Sequence, residues 1–182
     1  MRCVMKTLVV CAAVALVCAP LPARADGYFS PWAGVNFGNT QAEGHRTFGV
    51  SAGAMGAGVF GGEFDFGYSP DFFGEKTLDN HALTAMANLI VGIPIGGTRG
   101  AGLRPYVTGG VGLIQTKLGP SDSNDAGFDL GGGVMGYFSD HVGLRGDVRF
   151  MRNFKDLDFN NLDLNVNGPF HFWRGSIGLV LR

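Results

Sequence analysis

The chain has 182 residues, is 46% hydrophobic and 16% charged, and has a formal net charge of −1. This charge does not fit a nucleic-acid-binding protein, which would be strongly basic on one face. The 31 glycines are well above the usual share of about 7%. They follow no triplet period, which excludes collagen, and they lie within alternating apolar runs, which argues against disorder.

Residues 1–25 have the features of a secretory signal peptide. Arg2 and Lys6 precede an apolar run from Leu8 to Ala19, and residues 23–25 have the small-x-small pattern of a cleavage site. We predict cleavage between Ala25 and Asp26, which leaves residues 26–182 as one domain with a net charge of about −4. A retained anchor is disfavoured, because a membrane-spanning helix needs about 20 apolar residues.

All three cysteines of the chain lie inside this leader, at positions 3, 11 and 18. The mature chain is therefore expected to contain neither a disulfide nor a cysteine metal site. Lipidation at Cys18 is disfavoured, because the two residues before it are Leu16 and Val17 rather than a small residue.

The mature chain alternates apolar and polar residues with a period of two, as strands do. The pattern predicts eight strands in chain order: Phe29–Phe37, Thr47–Ala54, Val59–Tyr68, Ala82–Ile93, Pro105–Thr116, Gly127–Phe138, Val142–Arg152 and Phe170–Leu181. Strand seven shows two faces most clearly. Its apolar face carries Val142, Leu144, Val148 and Phe150, and its charged face carries Arg145, Asp147 and Arg149.

The connectors alternate between long polar and shorter segments. The predicted long connectors are residues 38–46, 69–81, 117–126 and 153–169. Transmembrane barrels have short periplasmic turns and longer external loops, so these four segments are expected outside. Only helices and closed barrels can span a bilayer, and the mature chain has no apolar run long enough for a spanning helix. We therefore predict an all-β fold, a closed antiparallel eight-stranded transmembrane up-and-down barrel.

Three segments carry a family resemblance: Gly61–Tyr68, Arg104–Leu113 and Phe138–Arg149. They resemble the porin-like outer-membrane β-barrel domain family, whose relatives are small barrels of the OmpA, OmpX and opacity-protein kind. The resemblance implies location in the outer membrane of a Gram-negative type of envelope and insertion by the barrel-assembly machinery. We also expect contact with outer-membrane lipid and lipopolysaccharide, and a monomer with no cofactor and no nucleic-acid partner.

The alternation directs a set of charged residues into the barrel: Glu63, Asp65, Asp129, Arg145, Asp147, Arg149 and Arg174. Burying an isolated ion is costly, so these groups must pair or meet water. Two interpretations remain open. The residues form either a salt-bridged plug that closes the lumen or a selectivity cluster along a narrow water path.

Aromatic residues occur where the strands are expected to leave the hydrocarbon, which predicts interfacial girdles. The predicted members are Phe29, Trp32, Tyr68, Phe72, Phe73, Tyr137, Phe138, Phe150, Phe154, Phe170 and Trp173.

Other motifs give little support for a metal or nucleotide site. Residues 131–136 fit G-x-G-x-x-G, but a strand rather than a helix follows, so no dinucleotide site is expected. The acidic loop beginning at Asp156 departs from a calcium loop at Asn161 and Asn167. The four histidines lie at loops or strand ends, and we predict that the protein is not an enzyme.

These observations favour a structural, adhesive or surface-interaction role with at most a narrow pore. The runner-up is a porin for ions or small solutes, followed by a lipid-modifying barrel enzyme and a soluble lipocalin-like carrier. An eight-stranded interior is only wide enough for side chains or one small ligand, which disfavours an open pore. The lipocalin-like alternative would place the apolar face inside, and alternation alone does not choose between the two orientations.

Overall fold

The computed structural model describes residues 25–38, 44–70, 72, 80–118, 121–154 and 171–182. These residues form a closed barrel of eight strands in chain order. Each strand pairs with the next in antiparallel register, and β1 pairs with β8 to close the barrel. The strands are β1 Ala25–Phe37, β2 His45–Gly56, β3 Phe60–Pro70, β4 Asn80–Gly92, β5 Gly102–Leu118, β6 Ser121–Tyr137, β7 Val142–Asn153 and β8 His171–Leu181. The predicted fold is confirmed.

The two faces of the wall have opposite polarity. Outward positions carry exposed apolar side chains such as Phe64, which is 44% exposed, whereas inward Asp65 and Arg149 are fully buried at 0%. This orientation is the reverse of the lipocalin-like alternative, which is therefore wrong. No helix in the described ranges is long and apolar enough to cross a membrane.

The start of β1 at Ala25, the last residue Arg182 and the connections from β2 to β3, β4 to β5 and β6 to β7 lie at one end of the barrel, which we call the terminus end. The opposite end, the loop end, carries the connections from β1 to β2, β3 to β4, β5 to β6 and β7 to β8. At the terminus end β2 turns into β3 through Ala57 and Gly58, both with positive φ (50° and 70°). Such a turn matches the twist of the flanking strands.

The prediction of a loop at residues 117–126 is wrong for most of that segment. β5 and β6 remain paired as far as Leu118 and Ser121, so only residues 119–120 separate the two strands. This hairpin extends past the apolar part of the wall, where a strand needs no apolar face. Its polar composition therefore resembled that of a loop. The acidic segment that begins at Asp156 lies outside the described residues.

Part of the predicted aromatic girdle is also wrong. Trp32, Phe72 and Tyr137 are buried inside the barrel, at 6%, 0% and 5% exposure. Trp32 and Tyr137 occupy inward positions of their strands, so the alternation already contradicted their assignment to the girdle. Phe138 and Trp173 are exposed, whereas the predicted members at positions 73 and 170 lie outside the described residues.

The orientation of the wall predicts the effect of a charge on its outer face. Phe64 lies near the middle of β3 with its side chain outward. Phe64→Arg should block insertion, because an arginine at the bilayer midplane costs about 2–4 kcal/mol. The measurement is the heat-modifiable fraction of the protein in outer membranes, with Phe64→Leu as the control. Equal insertion of the two variants would contradict the outward assignment.

Candidate functional site

The inward charged residues meet in one layer in the middle part of the barrel, with Glu63 at its centre. The Glu63 carboxylate pairs with the guanidinium groups of both Arg145 and Arg149, and its Oε1 lies 2.6 Å from Arg149 Nη2. The Tyr28 hydroxyl is its third partner and donates a hydrogen bond to Glu63 Oε2 at 2.6 Å. One acid on β3 thus links β7 to β1 across the lumen.

Asp147 forms a second acidic centre beside the same two arginines. Its Oδ2 lies 2.9 Å from Arg145 Nη2 and 3.3 Å from Arg149 Nη2. The Tyr106 hydroxyl donates to Oδ2 at 2.8 Å, and the Ser176 hydroxyl donates to Oδ1 at 2.7 Å. Both carboxylate oxygens therefore have partners, as a buried ion requires.

Asp65 connects the layer to β8. Its Oδ1 accepts from Arg174 Nη2 at 2.7 Å, and its Oδ2 accepts from the Ser51 hydroxyl at 2.7 Å. The Arg174 guanidinium lies 4.1 Å from the centre of the Trp32 ring, at a distance typical of cation–π contact. The buried indole therefore supports an arginine inside the barrel rather than a membrane interface.

Asp129 completes the layer from β6. Its Oδ2 lies 3.2 Å from Arg149 Nη1. With its amide turned to suit these neighbours, Asn88 donates to Asp129 Oδ1 at 2.6 Å and accepts from Arg149 Nη1 at 2.8 Å. The structure thus brings together all the charged residues that the alternation placed in the lumen: Glu63, Asp65, Asp129, Arg145, Asp147, Arg149 and Arg174.

Small residues in the wall make room for these long side chains. Gly131 faces Arg149 across the β6–β7 ladder. A Cβ atom at Gly131 would lie 2.9 Å from Arg149 Cγ, closer than packing allows, and would also clash with the Val148 carbonyl oxygen. A close approach of this kind explains why a narrow barrel with arginines inside needs glycine at this position.

Apolar side chains cover the charged layer on both sides. Towards the terminus end lies the cluster of Tyr28, Met55, Ile90, Tyr106, Met135, Tyr137 and Val180. Towards the loop end lies the cluster of Phe72, Ala82, Met86, Ile114, Met151 and Phe172. An ion that crossed the lumen would have to pass an apolar layer, a paired charged layer and a second apolar layer.

Sequence reasoning missed Arg104, which is 2% exposed and lies at the terminus end of the lumen. Its guanidinium is 5.3 Å from the Tyr137 ring, and that of Arg182 is 3.6 Å from the same ring. The predicted strand five began at Pro105 and so left Arg104 out. Extending the alternation back from the inward residue Tyr106 would have found it.

Among the described residues, the other sequence motifs do not form a further site. The glycine run at 131–136 lies wholly within β6. Within the described ranges, no group of three or more His, Cys, Asp or Glu residues could hold a metal ion. Ala25 and Asp26 begin β1, and the preceding leader lies outside the described residues, so cleavage between them stays a prediction.

A family model described as the outer membrane protein beta-barrel domain matches residues 9–170. The chain belongs to this family. Its members' location assigns the protein to the outer membrane of a Gram-negative envelope. The predicted family and location are therefore confirmed. None of the curated proteins matches the chain significantly.

Solved structures of outer membrane barrels are similar to this fold. Neisserial surface protein A has a TM-score of 0.62 and 15% identity, covering 86% of this chain and 97% of its own. The N-terminal barrel domain of OprF from Pseudomonas aeruginosa has a TM-score of 0.58 and 13% identity, covering 87% and 96%. Ail from Yersinia pestis, in complex with the heparin analogue sucrose octasulfate, has a TM-score of 0.50 and 12% identity, covering 87% and 99%. These likenesses show the fold.

The geometry of the charged layer predicts that Glu63→Gln destabilises the barrel. The change leaves Arg145 and Arg149 short of one negative charge, and removing one partner of a buried ion pair costs about 3–5 kcal/mol. The measurement is urea unfolding of the refolded protein in lipid vesicles. Asp140→Asn, at an exposed turn, is the control and should unfold like the wild type. Equal stability of all three proteins would show that Glu63 does not hold the layer together.

Proposed function

We propose that this protein is a structural, adhesive or surface-interaction barrel whose lumen is closed to free diffusion. The observation that carries the proposal is the paired charged layer enclosed between two apolar clusters. In this view the charged residues stabilise the inside of the barrel, and the biological surface is its outside and its loop end.

The loop end favours a surface role because the described hairpin of β5 and β6 extends furthest there. β5 and β6 each have 17 residues, whereas a tilted transmembrane strand needs about 9–11. Both strands therefore continue well beyond the hydrocarbon, where their hairpin is accessible to partners. The complex of Ail with a heparin analogue supports an adhesive role by analogy of fold alone.

The porin alternative would require the same charged residues to line a water-filled path. A conducting path needs water beside the charged groups, whereas here Arg149 and Asp65 are 0% exposed. We further propose that the protein is monomeric, has no enzymatic activity and is inserted by the barrel-assembly machinery.

The closed lumen predicts a low conductance that rises when the layer is broken. Wild-type protein in planar bilayers should show no steady open-pore current. Replacing Arg145 and Arg149 together with alanine leaves Glu63, Asp65, Asp129 and Asp147 facing only Arg174, so a cation-selective leak is expected. Current is measured in a gradient of potassium chloride.

The matched control removes two cations from the outer face of the barrel, as Arg46→Ala with Lys117→Ala. This variant should conduct no more than the wild type. A large steady current through the wild-type barrel would favour the porin alternative. Unchanged current and unchanged thermal stability in the double lumen variant would count against the plug.

A further inference from the structure

The lipid-facing wall contains a groove of about 600 Å³ that crosses β6, β7, β8 and β1. Its floor consists of small outward residues: Gly132, Gly146, Gly175 and Ala33. The register places a row of larger side chains along its loop-end side, namely Leu130, Phe150, Trp173 and Phe37. The groove is therefore a depression in the wall with an aromatic border.

A cation lies one strand beyond the groove, next to Val35 of its lining. Register partners run from Gly132 through Val148, Gly175 and Val35 to Arg46 on β2. Arg46 is exposed and is the second residue of β2, close to the loop end. Three interstrand steps of about 4.8 Å, from Gly132 to Val35, span about 14 Å of the wall, and one further step reaches Arg46.

Arg46 belongs to a wider basic belt at the loop end. The outward positions there also carry His81, Lys117, Arg152 and His171. Aromatic rings accompany this belt, with Tyr68 5.7 Å from His81 and Phe150 5.9 Å from His171. Outward positions near the terminus end of the described strands carry no charged residue. The outward strand positions at the loop end are thus suited to anionic headgroups, whereas those at the terminus end offer no cation to them.

We infer that the groove binds the acyl chain of a phosphorylated lipid of the outer leaflet, with its phosphate at Arg46. An apolar depression on a surface that faces hydrocarbon is filled by hydrocarbon, and an arginine on the strand next to that depression favours a tail attached to an anionic headgroup. Arginine matches phosphate oxygens through its planar set of donors. The site is independent of the proposed closed lumen, because it lies on the opposite face of the wall.

The groove can be filled without disturbing the wall. A Cβ atom at Gly146 would meet nothing closer than the Ser176 carbonyl oxygen at 3.9 Å, so a leucine there is expected to fold and to occupy the depression. Gly62 offers a matched control. It is an outward glycine away from the groove, and a Cβ there would meet the Asn88 carbonyl oxygen at the same 3.9 Å.

The test is native mass spectrometry of the detergent-purified barrel with lipid A, the phosphorylated acylated anchor of lipopolysaccharide, as the probe. Phosphatidylcholine serves as the zwitterionic comparison. The wild type should retain one lipid A in preference to phosphatidylcholine. Arg46→Gln should weaken retention about fivefold, the effect of one basic residue near an anionic surface, whereas Lys117→Gln should change it less.

Gly146→Leu should weaken retention at least tenfold, because each methylene removed from an apolar contact contributes roughly a factor of four. Gly62→Leu should bind as the wild type does. Heat-modifiable mobility confirms that each variant is folded. Equal retention of lipid A by all variants, or equal retention of both lipids by the wild type, would overturn the inference. So would a dimer that Gly146→Leu dissociates, because the groove would then hold a second copy of the chain.

Discussion

A backbone inside hydrocarbon has no water to bond with, and this constraint determines the rest of the molecule. Every amide and carbonyl within the bilayer must find a partner in the protein, which only a closed sheet provides when the chain uses strands. Closure with eight strands leaves a narrow lumen, which side chains fill in this barrel. The inward residues are therefore packed against one another, and any charge among them must be neutralised by a neighbour.

The two faces of the wall have different packing requirements. The outer face needs only to be apolar, so its side chains vary in size and leave a groove where glycines meet in neighbouring rows. The inner face must fit together atom by atom. Glu63 and Asp147 each accept from both Arg145 and Arg149, and the glycine opposite Arg149 leaves space for its stem.

The fold was predictable from sequence because successive side chains of a strand point to opposite faces, which gives a period of two that does not depend on the partner strands. The polarity of the faces required the export signal and the loop pattern as well, since alternation is symmetric. The pairing of Asp65 with Arg174 was not predictable, because it depends on which strands meet across the lumen and on their stagger. The end of β5 was mispredicted for another reason. Outside the hydrocarbon a hairpin can be polar on both faces, so the contrast between strand and loop disappears.

The charged layer also sets an order of assembly. Glu63 and Arg145 are separated by 82 positions, and Asp65 and Arg174 by 109, so the acids of β3 have no arginine partner until the last two strands arrive. A hairpin that entered the bilayer early would carry these carboxyl groups without their arginine partners, at an effective cost of several kcal/mol for each buried ion. Strand-by-strand entry is thereby penalised, and the lowest barrier belongs to a route in which insertion and closure occur together. The residues that hold the mature lumen shut thus also make the folding transition in the membrane cooperative.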